Sequence, residues 1–242
     1  MEENVNAIVL KVVKYNDKTY IADLLTEHHG RMSFAVPAPA TGKNSLHNRT
    51  LWRPLNMVEF ECDLKKRRGL PRPKDATLSY NYSSLSYNPI KAMMAIYIDE
   101  LLCSAIWNEV PDEPLFRFVR KSLIVLDTKQ EKFVNFHIAF SVNLLENIGI
   151  QPNVCRRTID LHFDMRAAEF TPLHPLHDDV ISGIEADALE KVMRINFDNM
   201  HLFKFNRNQI QRILHLINVY YMIHVPNFRQ LKAIEIFGDA LS

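Results

Sequence analysis

Glycine is scarce, with 6 in 242 residues. None of them completes G-x-x-x-x-G-K-[ST] or G-x-S-x-G, which removes the P-loop and the hydrolase nucleophile elbow from the possible functions. "TGKNS" at 41–45 lacks the upstream glycine that such a phosphate cradle needs. Cysteine is almost as rare. Cys62, Cys103 and Cys155 are far apart, odd in number and without a C-x-x-C pair. This argues against a four-cysteine zinc site and a disulfide framework, and a reducing compartment is expected. No run of about 18 apolar residues is present, so no membrane span is expected. The opening Met1-Glu2-Glu3-Asn4 has neither the basic start nor the apolar centre of a secretion signal, which points to the cytoplasm. There is no internal repeat and no low-complexity tract.

What is present is a chain able to bury a core. Apolar residues make up 47% and charged residues 24%. Net charge is only +1, but it is unevenly spread. Residues 31–74 hold 10 Lys and Arg against 3 Asp and Glu, a net of +7. Six of those cations, Lys65, Lys66, Arg67, Arg68, Arg72 and Lys74, fall within ten residues of "DLKKRRGLPRPK". A basic loop in a near-neutral chain suits a polyanion, bound in a salt-sensitive and sequence-independent way. Arg31, Lys43 and Arg49 extend the candidate set. Tyr80, Tyr82 and Tyr87 nearby are possible stacking faces, although tyrosines at strand spacing more often belong to a core or sheet surface.

Period-two patterning dominates the first 80-odd residues. "RMSFAVPAP" puts Met32, Phe34, Val36 and Ala38 on one face. "MVEFECDL" puts Val58, Phe60, Cys62 and Leu64 on one face and Glu59, Glu61 and Asp63 on the other. "TLSYNY" groups Leu78, Tyr80 and Tyr82. "NAIVLKVV" and "TYIADLL" are continuously apolar and β-branched, as for strands covered on both sides. Five short strands over this length predict a closed barrel of the OB type, residues 1–82, because closure removes exposed edges.

The period changes at Asn88-Pro89, a favourable cap and first helical residue. Ile90, Met93, Met94, Tyr97, Leu101 and Ala105 follow at helical spacing. A second helix restarts at Asp112 with Leu115, Phe116, Val119, Leu123 and Leu126. A third carries Phe133, Phe136, Phe140, Leu144 and Ile148 and stops at Gly149. Short connections suggest an antiparallel bundle. An irregular insert at about 151–182 follows, then weak helicity near 185–194. Strong helical periodicity returns in "NQIQRILHLINVYYMIHV" and "FRQLKAIEIF". The expected class is α+β, with the barrel followed by a helical domain over 83–242.

Two clusters could carry chemistry. His28-His29 sits in "LLTEHHGRMS", but neighbouring strand residues face opposite ways and no third ligand is near. Gly30 marks a hairpin turn there instead. In "DLHFD", Asp160, His162 and Asp164 would share one strand face and could hold a divalent cation for phosphodiester chemistry. Cys155, His174 and His177 could contribute to zinc, but their spacing matches no tight ligand pattern. No metal and no cofactor are expected.

The order of parts resembles the RecO family of bacterial recombination mediators, in its Bacteroidetes-like branch. The likeness is carried by "AIVLKVVKYNDKTYIADLLTEHHGRMS", with L-x-T-x-x-x-G at Leu24, Thr26 and Gly30, and by "LLENIGIQPN". It continues in "YYMIHVPNFRQLKAIEIF", with Tyr220, Tyr221, His224, Pro226, Phe228 and Leu231. Many members have a four-cysteine zinc module after the third helix, where this chain has Cys155 alone. The resemblance implies a non-enzymatic mediator of DNA repair and homologous recombination, cytoplasmic and associated with the nucleoid. It would bind single-stranded DNA, anneal complementary strands and engage the C-terminal tail of single-strand-binding protein. With RecR it would assist the loading of RecA. Arg117, Arg120, Lys121 and Arg212 are the candidate partners for the carboxylates of that tail. The alternatives are an OB-fold scaffold for protein partners and a metal-dependent nuclease.

Overall fold

The computed structural model describes residues 2–38, 50–64, 69–107, 109–154 and 162–235. The chain divides into two compact units. One comprises Met1–Tyr87 and Ile106–Thr128, the other Asn88–Ala105 and Lys129–Ser242.

In the first unit, β1 (Glu3–Lys14), β2 (Thr19–Thr26), β3 (Gly30–Pro37), β4 (Met57–Cys62) and β5 (Lys74–Leu78) form an antiparallel sheet. Their order is β3-β2-β1-β4-β5. The Ala35 N–H of edge strand β3 donates to the Pro71 carbonyl on the approach to β5, at 2.9 Å, so the two edges turn toward each other as in a barrel. The period-two faces are as expected: Phe34, Val36, Val58, Phe60 and Cys62 join one core cluster with Val5, Val9 and Trp52, while Glu59 and Glu61 are exposed. β1 is buried on both faces, with Ala7, Ile8, Val9 and Leu10 at most 1% exposed. The strand expected through Tyr82 ends at Leu78, because Tyr80 and Tyr82 turn inward. Their hydroxyls donate to the Asp127 carboxylate at 3.1 Å and the Leu55 carbonyl at 2.6 Å, and the rings meet edge to face 5.4 Å apart.

The β2–β3 corner is built by Thr26 and Gly30. The buried Thr26 hydroxyl donates to the Gly30 carbonyl at 2.7 Å and accepts the His29 N–H at 3.0 Å. Gly30 has a φ of 68°, and a β-carbon there would sit 2.6 Å from the backbone of Glu109 and Val110. Both the left-handed backbone and the close approach demand glycine. Gly30→Ala is expected to cost about 2–4 kcal/mol. Urea unfolding should show a lower midpoint at an unchanged slope; a loss under about 0.5 kcal/mol would show that the 109–110 backbone yields freely.

Helix α2 (Glu113–Thr128) groups with these strands, not with the other helices as the bundle expectation had it. Its expected stripe is buried at Leu115, Phe116, Val119, Leu123 and Leu126, and Asp112 caps it by accepting the Leu115 N–H at 2.9 Å. Tertiary hydrogen bonds tie it in. The Asp127 carboxylate accepts N–H bonds from Ser83, Ser84 and Leu85 at 2.9, 2.7 and 2.7 Å.

The second unit contains α1 (Pro89–Ala105), α3 (Phe136–Asn147), α4 (Ile184–Val192) and α5 (Arg207–His224). Asn88 caps α1 through its side chain, as expected. The buried stripe is turned slightly from the expected one: Lys91, not Ile90, lies inside, its ammonium 5.1 Å from the centre of the Phe133 ring. A long aliphatic stem ending over an aromatic face allows that burial. α3 is buried on nearly all sides and ends at Gly149, whose N–H reaches the Glu146 carbonyl while that of Ile150 reaches Leu145. Tyr97 bonds the Ser141 hydroxyl of this helix and Tyr221 donates to the Ser141 carbonyl, each at 2.8 Å.

The insert is not wholly irregular. β6 (His162–Asp164), β7 (Glu169–Thr171) and β8 (Val180–Ile181) form a small sheet in the order β7-β6-β8 around Phe163. Strands of two or three residues are too short for an alternation to register in sequence. In "FRQLKAIEIF" the described residues are helical only from Ala233, and Phe237 lies outside them. No helix among the described residues is long and apolar enough to cross a membrane.

Candidate nucleic-acid interface

The β1–β2 corner is a tight turn. The N–H groups of Tyr15 and Asn16 both donate to the Thr19 carbonyl, at 3.1 and 3.0 Å. The Asn16 side chain accepts the Lys18 N–H at 2.9 Å, and Lys14 pairs with Asp17 at 2.8 Å. Opposite the corner runs Gly69–Arg72, leading into β5. This segment is held at two points: Pro71 accepts from Ala35, and the Cys62 thiol donates to the Arg72 carbonyl at 3.4 Å. Burial, with the Asp63 charge beside it, pushes that thiol above its ordinary range and keeps it protonated as a donor.

Between these walls lies a cavity of about 450 Å³ lined by Tyr15, Asn16, Thr19, Ile21, Ala35, Gly69, Leu70 and Arg72. It sits on strands β2 and β3 between the β1–β2 and β4–β5 loops, the face on which OB barrels bind oligonucleotides. Arg72 lines it, and the exposed Lys14 and Lys18 stand next in the chain to its lining residues Tyr15 and Thr19.

The basic residues named from sequence divide three ways. Arg72 is exposed on the groove, and Lys74 is exposed but paired with Glu2. Arg31 faces inward instead. Its side chain is 16% exposed, donates to the Ile106 carbonyl at 2.6 Å and to Asp23 at 3.3 Å, and lies 5.6 Å from the Trp107 ring centre. It pins the 106–107 segment to β3 and is not free for a phosphate. Lys43, Arg49, Lys65, Lys66, Arg67 and Arg68 lie outside the described residues.

At the β2–β3 corner each histidine meets a carboxylate. His28 faces Glu113 at 3.0 Å and His29 faces Glu3 at 3.3 Å. In the small sheet, Asp164 pairs with His177 at 3.3 Å and accepts N–H bonds from Arg166 and Ala167, which close the β6–β7 turn. Burial would raise its pKa, but those N–H groups outweigh it and hold the carboxyl below its ordinary value. His162 bonds Ser182 and its ring meets that of His174 at 4.8 Å, while Cys155 and Asp160 lie outside the described residues. Among the described residues no three His, Cys, Asp or Glu side chains converge on a cation position.

The four candidates for a partner's carboxylates are divided between the two units. Arg117, Arg120 and Lys121 line the exposed face of α2 in the first unit, at i, i+3 and i+4. Arg212 belongs to α5 in the second unit and is paired with Glu185. What the sequence reading missed is Tyr15, 70% exposed at a turn corner; its neighbours in "KYNDK" give no sign of the groove across from it.

Comparison with known proteins agrees with this architecture. The family profile for the N-terminal region of recombination protein O matches residues 1–82, and that for its C-terminal region matches residues 86–232. The chain is similar to the DNA repair protein RecO of Bacteroides fragilis, 38% identical over 233 residues and 96% of each chain. It is also similar to the DNA repair protein RecO of Phocaeicola vulgatus, 34% identical over 97% of each chain, and to that of Flavobacterium psychrophilum, 26% identical over the whole of both. With both regions matched in order and relatives aligned from end to end, the chain belongs to the recombination protein O family, RecO.

Proposed function

We propose that this protein acts in DNA repair and homologous recombination as a mediator without catalytic activity of its own. It binds single-stranded DNA, anneals complementary strands and works in the cytoplasm at the nucleoid. It engages the tail of single-strand-binding protein and, with RecR, assists the loading of RecA. Membership of the RecO family supports the role in repair and recombination. The observation that carries DNA binding is the groove on β2 and β3, lined by Arg72 before β5 and adjoined by lysines of the β1–β2 hairpin.

The physics is charge neutralisation. Cations along a barrel rim replace the counterions on a strand's phosphates, so binding falls as salt rises. Two strands held this way repel each other less, which favours pairing without any energy source. Arg117, Arg120 and Lys121 on α2 and Arg212 on α5 are the proposed contacts for an acidic tail.

The test is equilibrium binding of a fluorescent oligonucleotide over a salt series, with annealing followed in the absence of ATP. Affinity is expected to drop about ten- to a hundredfold between 50 and 200 mM salt, for about three to five phosphate contacts on a single strand. Binding indifferent to salt, or no binding, would instead favour an OB barrel that serves a protein partner.

A further inference from the structure

We infer that the groove between the β1–β2 corner and Gly69–Arg72 is a nucleotide subsite, in which an unpaired base of single-stranded DNA stacks on Tyr15 while Arg72 holds an adjoining phosphate. This rests on the proposed function and names what that face recognises.

Tyr15 is 70% exposed, so its ring serves no core. It is nevertheless carried on a rigid corner. Two N–H groups converge on the Thr19 carbonyl, and the Lys14–Asp17 pair and the Asn16 side chain hold the turn. The backbone beneath the ring is thereby held, so a ligand that covers it has only the side-chain torsions left to order. Facing it are an apolar floor of Ile21 and Ala35 and an apolar wall at Leu70, itself 42% exposed. The volume of about 450 Å³ lies in the lower part of the range of small-molecule pockets, about 300–1,000 Å³.

Charge decides which flat, partly apolar group belongs there. Residues 11–18 carry Lys11, Lys14 and Lys18 against Asp17, and Arg72 stands on the other wall. An aromatic platform with Arg72 on one wall and lysines in the adjoining hairpin fits a planar base on an anionic backbone. In a duplex the base faces are already stacked on one another and cannot cover Tyr15. The subsite therefore distinguishes single strands from duplexes without reading sequence, as an annealing protein requires.

The experiment uses the intact protein with three variants, Tyr15→Ala, Tyr15→Phe and Arg72→Ala. Affinity is measured over a salt series for an oligonucleotide, for its duplex and for the same strand with abasic sites. Tyr15→Ala is expected to weaken single-strand binding about five- to a hundredfold, with the salt slope unchanged and duplex binding unaltered. Tyr15→Phe keeps the stacking face and should stay within about twofold of the parent. Arg72→Ala should reduce the slope of log affinity on log salt by about 0.7. The loss from Tyr15→Ala should vanish on the abasic strand, where there is no base to stack. If the parent binds single strands with a steep salt slope and Tyr15→Ala binds equally well, the subsite is wrong while the DNA-binding reading stands. If the parent does not bind single strands at all, both are wrong.

Discussion

Reversing Lys65, Lys66, Arg67 and Arg68 to glutamate is expected to weaken single-strand binding by about 10²–10³-fold near 0.1 M salt, on all sequences alike. Each phosphate contact on a single strand contributes about 0.7 to the slope of log affinity on log salt. Four contacts then account for nearly three decades at this ionic strength, and repulsion from the introduced carboxylates adds to the loss. Annealing should fall in parallel, because the same cations that hold each strand screen the two from each other. The effect scales with the number of charges near the strand. Fluorescence anisotropy over a salt series and a strand-annealing time course are the measurements. A reversed variant that annealed DNA as fast as the parent would remove residues 65–68 from the interface. The phosphate contacts would then belong to the lysines of the β1–β2 hairpin and to Arg72.

The second large effect is on stability. Asp127→Ala is expected to cost about 3–5 kcal/mol. The carboxylate accepts N–H bonds from Ser83, Ser84 and Leu85, and hydroxyl bonds from Ser83 at 3.0 Å and Tyr80 at 3.1 Å. Removing it strands several donors at once, and it releases the loop after β5 from helix α2. The same geometry sets a pH dependence. Burial alone would raise the Asp127 pKa, but the three N–H groups outweigh it and bring the carboxyl from 3.8 to about 2. A carboxyl depressed in the folded state stabilises above its unfolded pKa. That contribution, about 2 kcal/mol, is lost as the pH falls from about 4 through about 2. Asp127→Asn keeps an acceptor oxygen without the charge, so its stability should fall less steeply over that window. Denaturant unfolding of parent and variant at pH 7 and across pH 4–2 measures both points. Parallel profiles would show that the charge on Asp127 contributes nothing.

Much of the first unit was legible from alternation alone. Val58, Phe60 and Cys62 against Glu59 and Glu61 announce a half-buried strand, and they occupy it. The helix boundaries at Asn88, Asp112 and Gly149 were legible because caps and stops are local: each depends on a few residues and one or two hydrogen bonds. The site was much less legible. Arg31 reads as a surface cation beside a hairpin, yet its partner is the carbonyl of Ile106, 75 residues away. Tyr15 reads as part of a polar turn, and nothing in "KYNDK" reveals Leu70 and Arg72 across a groove.

By itself, then, the sequence determined the five strands of the first unit and the main helices, their order, the basic character of 65–74 and the likeness to RecO. All of these reside in short-range pattern or in the identity of residues read in a row. The tertiary structure alone decided that α2 joins the strands, that Arg31 turns inward, and that Tyr15 and Arg72 share one groove. Each of those depends on a contact between residues distant in the chain. Periodicity reports which way a side chain faces on its own element, but not what it meets there.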